Sequence, residues 1–188
     1  LFISLDLVGI DRALSHRIVE RLSNLLDLRR DQIAIATSHT HSGPVVGRNL
    51  APLHYLIVDQ QQRDLIDDYA SELQSQIERV AQEAFQSLAP CTLSWGSGRA
   101  TFATNRRNNP SQTVREHRSA GQLQGPHDHD VPVLAVNSPD GKSLRAVLFG
   151  YACHATVLDT YLWSGDYPGV AQRELESDHA GYNLIPSL

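Results

Sequence analysis

Hydrophobic and polar positions along the chain change rhythm several times, and each rhythm predicts an element. Leu1 to Val8 (LFISLDLV) is dense in bulky apolar residues and β-formers, the pattern of a buried strand, ending near Asp6 and Gly9. Asp11 then suits a helix N-cap. From Arg12 to about Leu28, the residues Leu14, Ile18, Leu22, Leu25 and Leu26 recur every three or four positions, which predicts a helix with one apolar face. Ile33 to Thr37 (IAIAT) reads as a second short strand. Strand, helix and strand in this order predict a βαβ unit, with a parallel pair and a right-handed crossover.

Past a loop holding Gly43, Pro44, Gly47 and Pro52, a long helix is predicted from Asp59 to Leu88. Its core stripe is Leu65, Ile66, Tyr69, Leu73, Ile77, Val80, Ala84 and Phe85, and Pro90 stops it. Cys91 to Thr104 reads as one or two strands interrupted at Gly96 and Gly98. Asn105 to His129 is polar, the composition of a surface loop or an ordered lid. Val131–Val136 and Leu144–Ala152 read as a hairpin turning at Pro139, Asp140 and Gly141, and a last helix runs from Tyr167 to Glu176 with Pro168 in its first turn. The expected fold class is α/β: a mixed, partly parallel sheet with flanking helices, forming a single domain over residues 1–188.

Composition narrows the function classes. The 188 residues are 41% hydrophobic and 20% charged, which fits a globular core and excludes a disordered tail. No run approaches the ~18 apolar residues of a spanning helix. Lys and Arg number 16 against 21 Asp and Glu, a net of −5, and the basic residues are scattered. That excludes a nucleic-acid footprint and an anionic-membrane anchor. Cys91 and Cys153 lie far apart without a CxxC pattern, so two buried thiols are expected in preference to a disulfide. The chain contains no Met and opens at Leu1 inside an apolar stretch, as expected of an internal fragment. The remaining anomaly is its 9 His, more than its 4 Phe and 2 Trp together.

Three of those histidines follow strands. In Thr37–Pro44 (TSHTHSGP), an extended backbone would project His39 and His41 to the same side, and two imidazoles at the carboxyl end of a parallel strand begin many zinc sites. The alternative is a pair of hydrogen-bonded loop histidines. His154, in FGYACHAT at the end of what reads as a second parallel-type strand, is either a packed polar residue or a ligand emerging beside His39. Cys153 and His154 are neighbours and cannot both point into one site from a regular strand, which argues against a nucleophilic pair. His127-Asp128-His129-Asp130 is a solvated turn or a source of ligands, whereas His16, His54, His117 and His179 read as surface residues. Asp166, at the head of the last helix, is an N-cap by default, with orientation of a ligand imidazole as the other role; Asp6 shares that ambiguity.

The ordered set SHTHSGP, NRR, HDHDVPVLAV, FGYACHAT and SGDYPG resembles the catalytic domain of the neutral/alkaline (non-lysosomal) ceramidase family, from Leu1 to about Glu176. The resemblance implies a zinc-dependent amide hydrolase that splits ceramide into sphingosine and a fatty acid. It implies His39 and His154 as Zn2+ ligands, His41 lining the site against substrate or water, and Arg106 binding polar groups of the substrate. The family's other ligands, a Glu and a Tyr, and its Gly-Asp-x-Ser-Pro-Asn segment with the active-site serine, are not found in these residues. The chain therefore reads as an incomplete part of a larger catalytic domain, inactive alone, with the remainder of that domain as its partner. Ser177–Leu188 matches no part of the pattern. A lipid-like amide substrate, peripheral membrane contact of the full-length protein and a secreted or extracytoplasmic location are further implications. A related hydrolase of another amide or ester and a non-catalytic degenerate domain are the alternatives. A (β/α)8 barrel does not fit, because the hairpin at Pro139–Gly141 breaks its alternation.

Overall fold

The structure, a computed structural model, describes residues 1–158 and 160–179. These fall into two compact units: Leu1–Ala89 with Ala155–Asp178, and Pro90–His154. The second unit is thus an excursion of the chain between two stretches of the first.

In the first unit, β1 (Phe2–Leu5) and β2 (Ala34–Thr37) form the expected parallel pair, with Phe2 opposite Ala34 and Leu5 opposite Thr37. Between them runs α1 (Arg12–Leu26). Asp11 caps it as predicted, accepting the Leu14 N–H at 2.9 Å. The three- and four-residue spacing buries Leu14, Ile18, Val19, Leu22 and Leu26, while Leu25 turns outward. These residues join Leu5, Leu7, Ile33 and Val46, with Ala70, Ile77 and Ala81 of α2 (Gln60–Gln86), in one core. The ends of the stripe expected on α2 are corrected: Leu65, Ala84 and Phe85 are exposed. At 27 residues α2 is far longer than the 15-residue α1 against which it packs, so α1 does not extend over both of its ends. Arg21 and Glu78 pair between the two helices at 3.2 Å, an exposed contact that adds little to the buried stripe.

The second unit is an antiparallel sheet ordered β3 (Thr92–Arg99), β4 (Asp130–Asn137) and β5 (Leu144–Phe149). The predicted hairpin is present, with the Gly141 N–H donating to the Ser138 carbonyl at 2.8 Å and Gly141 at φ 70°. β5 stops at Phe149, short of the expected Ala152, and pairs with the antiparallel β4, from Val133 opposite Phe149 to Asn137 opposite Leu144. The expectation that His154 follows a parallel-type strand is therefore corrected. The polar stretch after β3 is an ordered loop holding a short helix, α3 (Val114–Ser119), that the sequence pattern did not reveal. Asparagines latch it: fully buried Asn109 donates to the carbonyls of Asn105 and Gln124 at 2.8 and 2.7 Å and accepts the Gln124 N–H at 3.0 Å. Cys91 and Cys153 are both thiols, as expected, but the expected burial is corrected: Cys91 is exposed and Cys153 half-buried.

The molecule is thus α/β, with a parallel pair, an antiparallel sheet and four α-helices among the described residues, the last being α4 (Asp166–Asp178). The parallel and antiparallel strands form separate sheets. No helix among the described residues is long and apolar enough to cross a membrane. Part of the unmatched tail, 180–188, lies outside the described residues.

Candidate metal centre

The site begins where β2 ends. Two further hydrogen bonds carry the chain past Thr37: the Ser38 N–H donates to the Leu5 carbonyl at 3.0 Å and the His39 N–H to the Leu7 carbonyl at 3.1 Å. There the extended backbone breaks. His39 sits at φ 61°, in the left-handed region that a residue with a β-carbon seldom enters. The expectation of an extended His39–His41 segment is corrected: a kink at the first histidine, and not strand alternation, brings the rings together. Their centroids are 5.0 Å apart and the planes stand nearly edge to face at 84°.

The kink is held on both sides. Nδ1 of His39 lies 2.5 Å from the Val8 carbonyl. A carbonyl only accepts, so Nδ1 carries the proton and Nε2 keeps the lone pair. Thr40, fully buried between two exposed histidines, donates its hydroxyl to the Ser164 carbonyl at 2.7 Å and accepts the Ser42 N–H at 3.2 Å. The Ser164 N–H returns a bond to the Ser42 carbonyl at 2.9 Å. Gly43 must lack a side chain, since a β-carbon there would stand 2.9 Å from the Asp6 carbonyl oxygen.

The same loop receives the segment that brings His154. The His41 N–H approaches the Ala155 carbonyl at 3.4 Å, and Ala155 is buried and peptide-bonded to His154. His39, His41 and His154 each offer a ring nitrogen, and these atoms all lie within 4.8 Å of one another. All three side chains are exposed.

Asp166 anchors the returning segment. Its carboxylate, 1% exposed, accepts the N–H groups of Val157 at 3.2 Å, Leu158 at 2.8 Å and Tyr167 at 2.7 Å. At φ 55° the residue opens α4 and ties the preceding loop to it. Asp6 packs against Gly165, its Oδ2 3.0 Å from where a β-carbon would stand. Arg106 is exposed in a turn of the second unit, after Asn105 accepts the N–H groups of Arg107 and Asn108 at 3.0 and 3.2 Å. Sequence reasoning missed Thr40, which read as a mere spacer.

The donor set fits a borderline transition ion such as zinc: imidazoles, one of them with its tautomer fixed by a backbone carbonyl. Among curated proteins none matches the chain. The sequence model of the neutral/alkaline non-lysosomal ceramidase N-terminal domain matches residues 1–186. The resemblance in the five motif segments thus extends over almost all of the chain, which belongs to the neutral/alkaline non-lysosomal ceramidase family, a family of hydrolases.

Proposed function

We propose that this chain supplies the histidine half of a zinc centre in a hydrolase that cleaves the amide of ceramide or a closely similar lipid. The observation that carries the proposal is the convergence of three ring nitrogens within 4.8 Å, with Nδ1 of His39 against the Val8 carbonyl, so that in the neutral ring Nε2 bears the lone pair. His39 and His154 would hold the ion. Zinc, when bound, would polarise a substrate carbonyl and lower the pKa of water toward ~7.

The chain's own residues have separable tasks. The Val8 carbonyl fixes the tautomer of His39, and Thr40 fixes the loop between the histidines. His41 lines the site and contacts substrate or water from the edge of the His39 ring. Arg106 enters through the family resemblance alone, as a group for polar parts of the substrate. The same resemblance suggests that a Glu and a Tyr complete the ligand set, that the 188 residues alone are inactive, and that the full-length protein is extracytoplasmic and touches membranes peripherally.

Zinc content and hydrolysis of ceramide and of short N-acyl substrates, measured on the full-length protein, test the reading. His39→Ala and His154→Ala should lose zinc and activity together. His41→Ala should keep zinc and lose about 10²–10⁴-fold in rate, the range for a group that handles a proton or contacts the reacting centre. Ligand variants that kept both metal and turnover would refute the proposal, and loss of zinc in His41→Ala would make His41 a third ligand.

A further inference from the structure

Four polar side chains are buried among the described residues: Thr40, Ser42, Asn109 and Asp166. Asn109 latches the loop of the second unit, but the other three gather around the candidate metal centre. Burying polar groups costs stability unless they are bonded, and a well-bonded network fixes one arrangement. Asp166 brings the carboxylate to this network. Its Oδ1 accepts the N–H groups of Val157 at 3.2 Å and Tyr167 at 2.7 Å, and its Oδ2 accepts that of Leu158 at 2.8 Å. Its own N–H donates to the Ser164 hydroxyl at 3.0 Å. At φ 55° the backbone would also admit Gly or Asn, but only a carboxylate offers two acceptor oxygens to three N–H groups.

These bonds close a circuit that joins the two histidine segments. The His41 N–H approaches the Ala155 carbonyl at 3.4 Å, and two residues on the Val157 N–H reaches Asp166. Asp166 bonds to the Ser164 hydroxyl, and the Ser164 carbonyl accepts the hydroxyl of Thr40, the neighbour of His41. The Ser164 N–H adds a strut to the Ser42 carbonyl at 2.9 Å. Gly165 keeps this turn close to Asp6, whose Oδ2 would stand 3.0 Å from a β-carbon there. His154 enters the circuit directly before Ala155, so its ring stands where the following residues hold its α-carbon. The link from His41 to Ala155 is long for a hydrogen bond, and the placement of His154 therefore leans on the carboxylate.

We propose that Asp166 is a positioning residue of the zinc centre: through the N–H groups of Val157 and Leu158 it holds the segment that keeps the His154 ring nitrogen within 4.8 Å of those of His39 and His41. The inference rests on the centre proposed above. A ligand must be kept within about 0.5 Å of its productive place, and contacts behind a ligand are worth about 10–100-fold in metal affinity.

The test uses the full-length protein, with zinc affinity measured by competition with a chelator and folding followed by circular dichroism. Asp166→Ala should weaken zinc binding by about 10–100-fold while the protein is still folded. Asp166→Asn keeps one acceptor oxygen and should recover part of that loss. Should Asp166→Ala fail to fold, Asp166→Asn and Ser164→Ala decide, the latter removing only the oxygen that receives the Asp166 N–H. A second readout needs no metal: in nuclear magnetic resonance spectra of metal-free protein with labelled histidines, the His154 ring signal should move in each variant while that of His127 stays. Folded variants with unchanged zinc affinity and an unmoved His154 signal would overturn the proposal and leave Asp166 as a tie between loop and helix alone. If zinc in the otherwise unaltered protein does not depend on His39 and His154, the centre itself is refuted, and the metal-free His154 signal still decides whether Asp166 places that ring.

Discussion

The chain contains two His-x-His segments, and their backbones use the same spacing in opposite ways. At His39-Thr40-His41 the first histidine is kinked into the left-handed region, Nδ1 is tied to a carbonyl, and the rings meet edge to face at 5.0 Å. At His127-Asp128-His129 no kink is needed, Nε2 is the tied atom, and the rings lie nearly parallel at 4.0 Å. The middle residues differ as much. Thr40 is buried and bonded across the chain to Ser164, whereas Asp128 is exposed and bonded two residues on. A shared motif therefore does not fix which nitrogen is offered or how firmly it is held. The second contacts do.

The largest effect that could break this contrast is chemical. If the kinked segment is the catalytic one, His39→Ala or His154→Ala should lower ceramide hydrolysis by the full-length protein by more than ~100-fold, beyond what loss of an outer-shell partner costs. Activity surviving in either variant would erase the distinction. Next comes Thr40→Val, which keeps the shape but leaves the Ser164 carbonyl without its donor and the Ser42 N–H without its acceptor; it should cost about 1–3 kcal/mol in urea unfolding. Tyr151→Phe should cost about 1 kcal/mol by removing the hydroxyl that bridges Ala100 and Ala103, and it should loosen His129 in proton NMR spectra while leaving His39 unmoved. At the small end, Asp128→Ala in metal-free protein should change stability by no more than about 0.5 kcal/mol, as exposed substitutions usually do. A cost for Asp128→Ala equal to that for Thr40→Val would show that the two middle residues are not different after all.

Acid acts on the cap of α1. Burial works to raise the pKa of Asp11, but the N–H groups of Leu14, Arg48 and Ala13, with the charge of Arg17, outweigh it and hold the carboxyl below its ordinary 3.8. A pKa depressed in the folded state contributes stability that is complete above the unfolded value and is lost as pH falls through the folded one. Asp11→Ala should therefore destabilise the first unit by about 1 kcal/mol near neutrality, and the difference should close at pH values below 3.8. Unfolding curves at a series of pH values check the sign.

The β1–α1–β2 unit was legible because its signals are local. Asp11 caps, Leu14, Ile18, Leu22 and Leu26 repeat at helical spacing, and Ile33 to Thr37 is too short for anything but a strand. What escaped depends on distant partners. The short helix α3 is held by Arg118 reaching the carbonyls of Thr101 and Phe102 at 2.9 and 2.7 Å, which no periodicity announces. The exposure of Leu65 and Phe85 depends on how far α1 extends alongside α2, a matter of neighbours and not of the helix's own pattern. The histidines of the candidate centre could be named from their strand-end positions. The left-handed kink at His39 could not, because the usual sequence signals for that conformation are Gly and Asn. Nor could the role of Thr40, whose partner lies 124 residues away.

That last separation carries a consequence for how the site comes into being. Local contacts form early in folding, and those that close long loops come late because the closure entropy precedes the reward. The parallel pair and its helix can assemble from a continuous stretch of about forty residues, while the hydroxyl of Thr40 waits for Ser164. The three imidazoles should therefore draw together in one of the last events of folding, and in a refolding experiment their convergence should lag behind the recovery of helical signal.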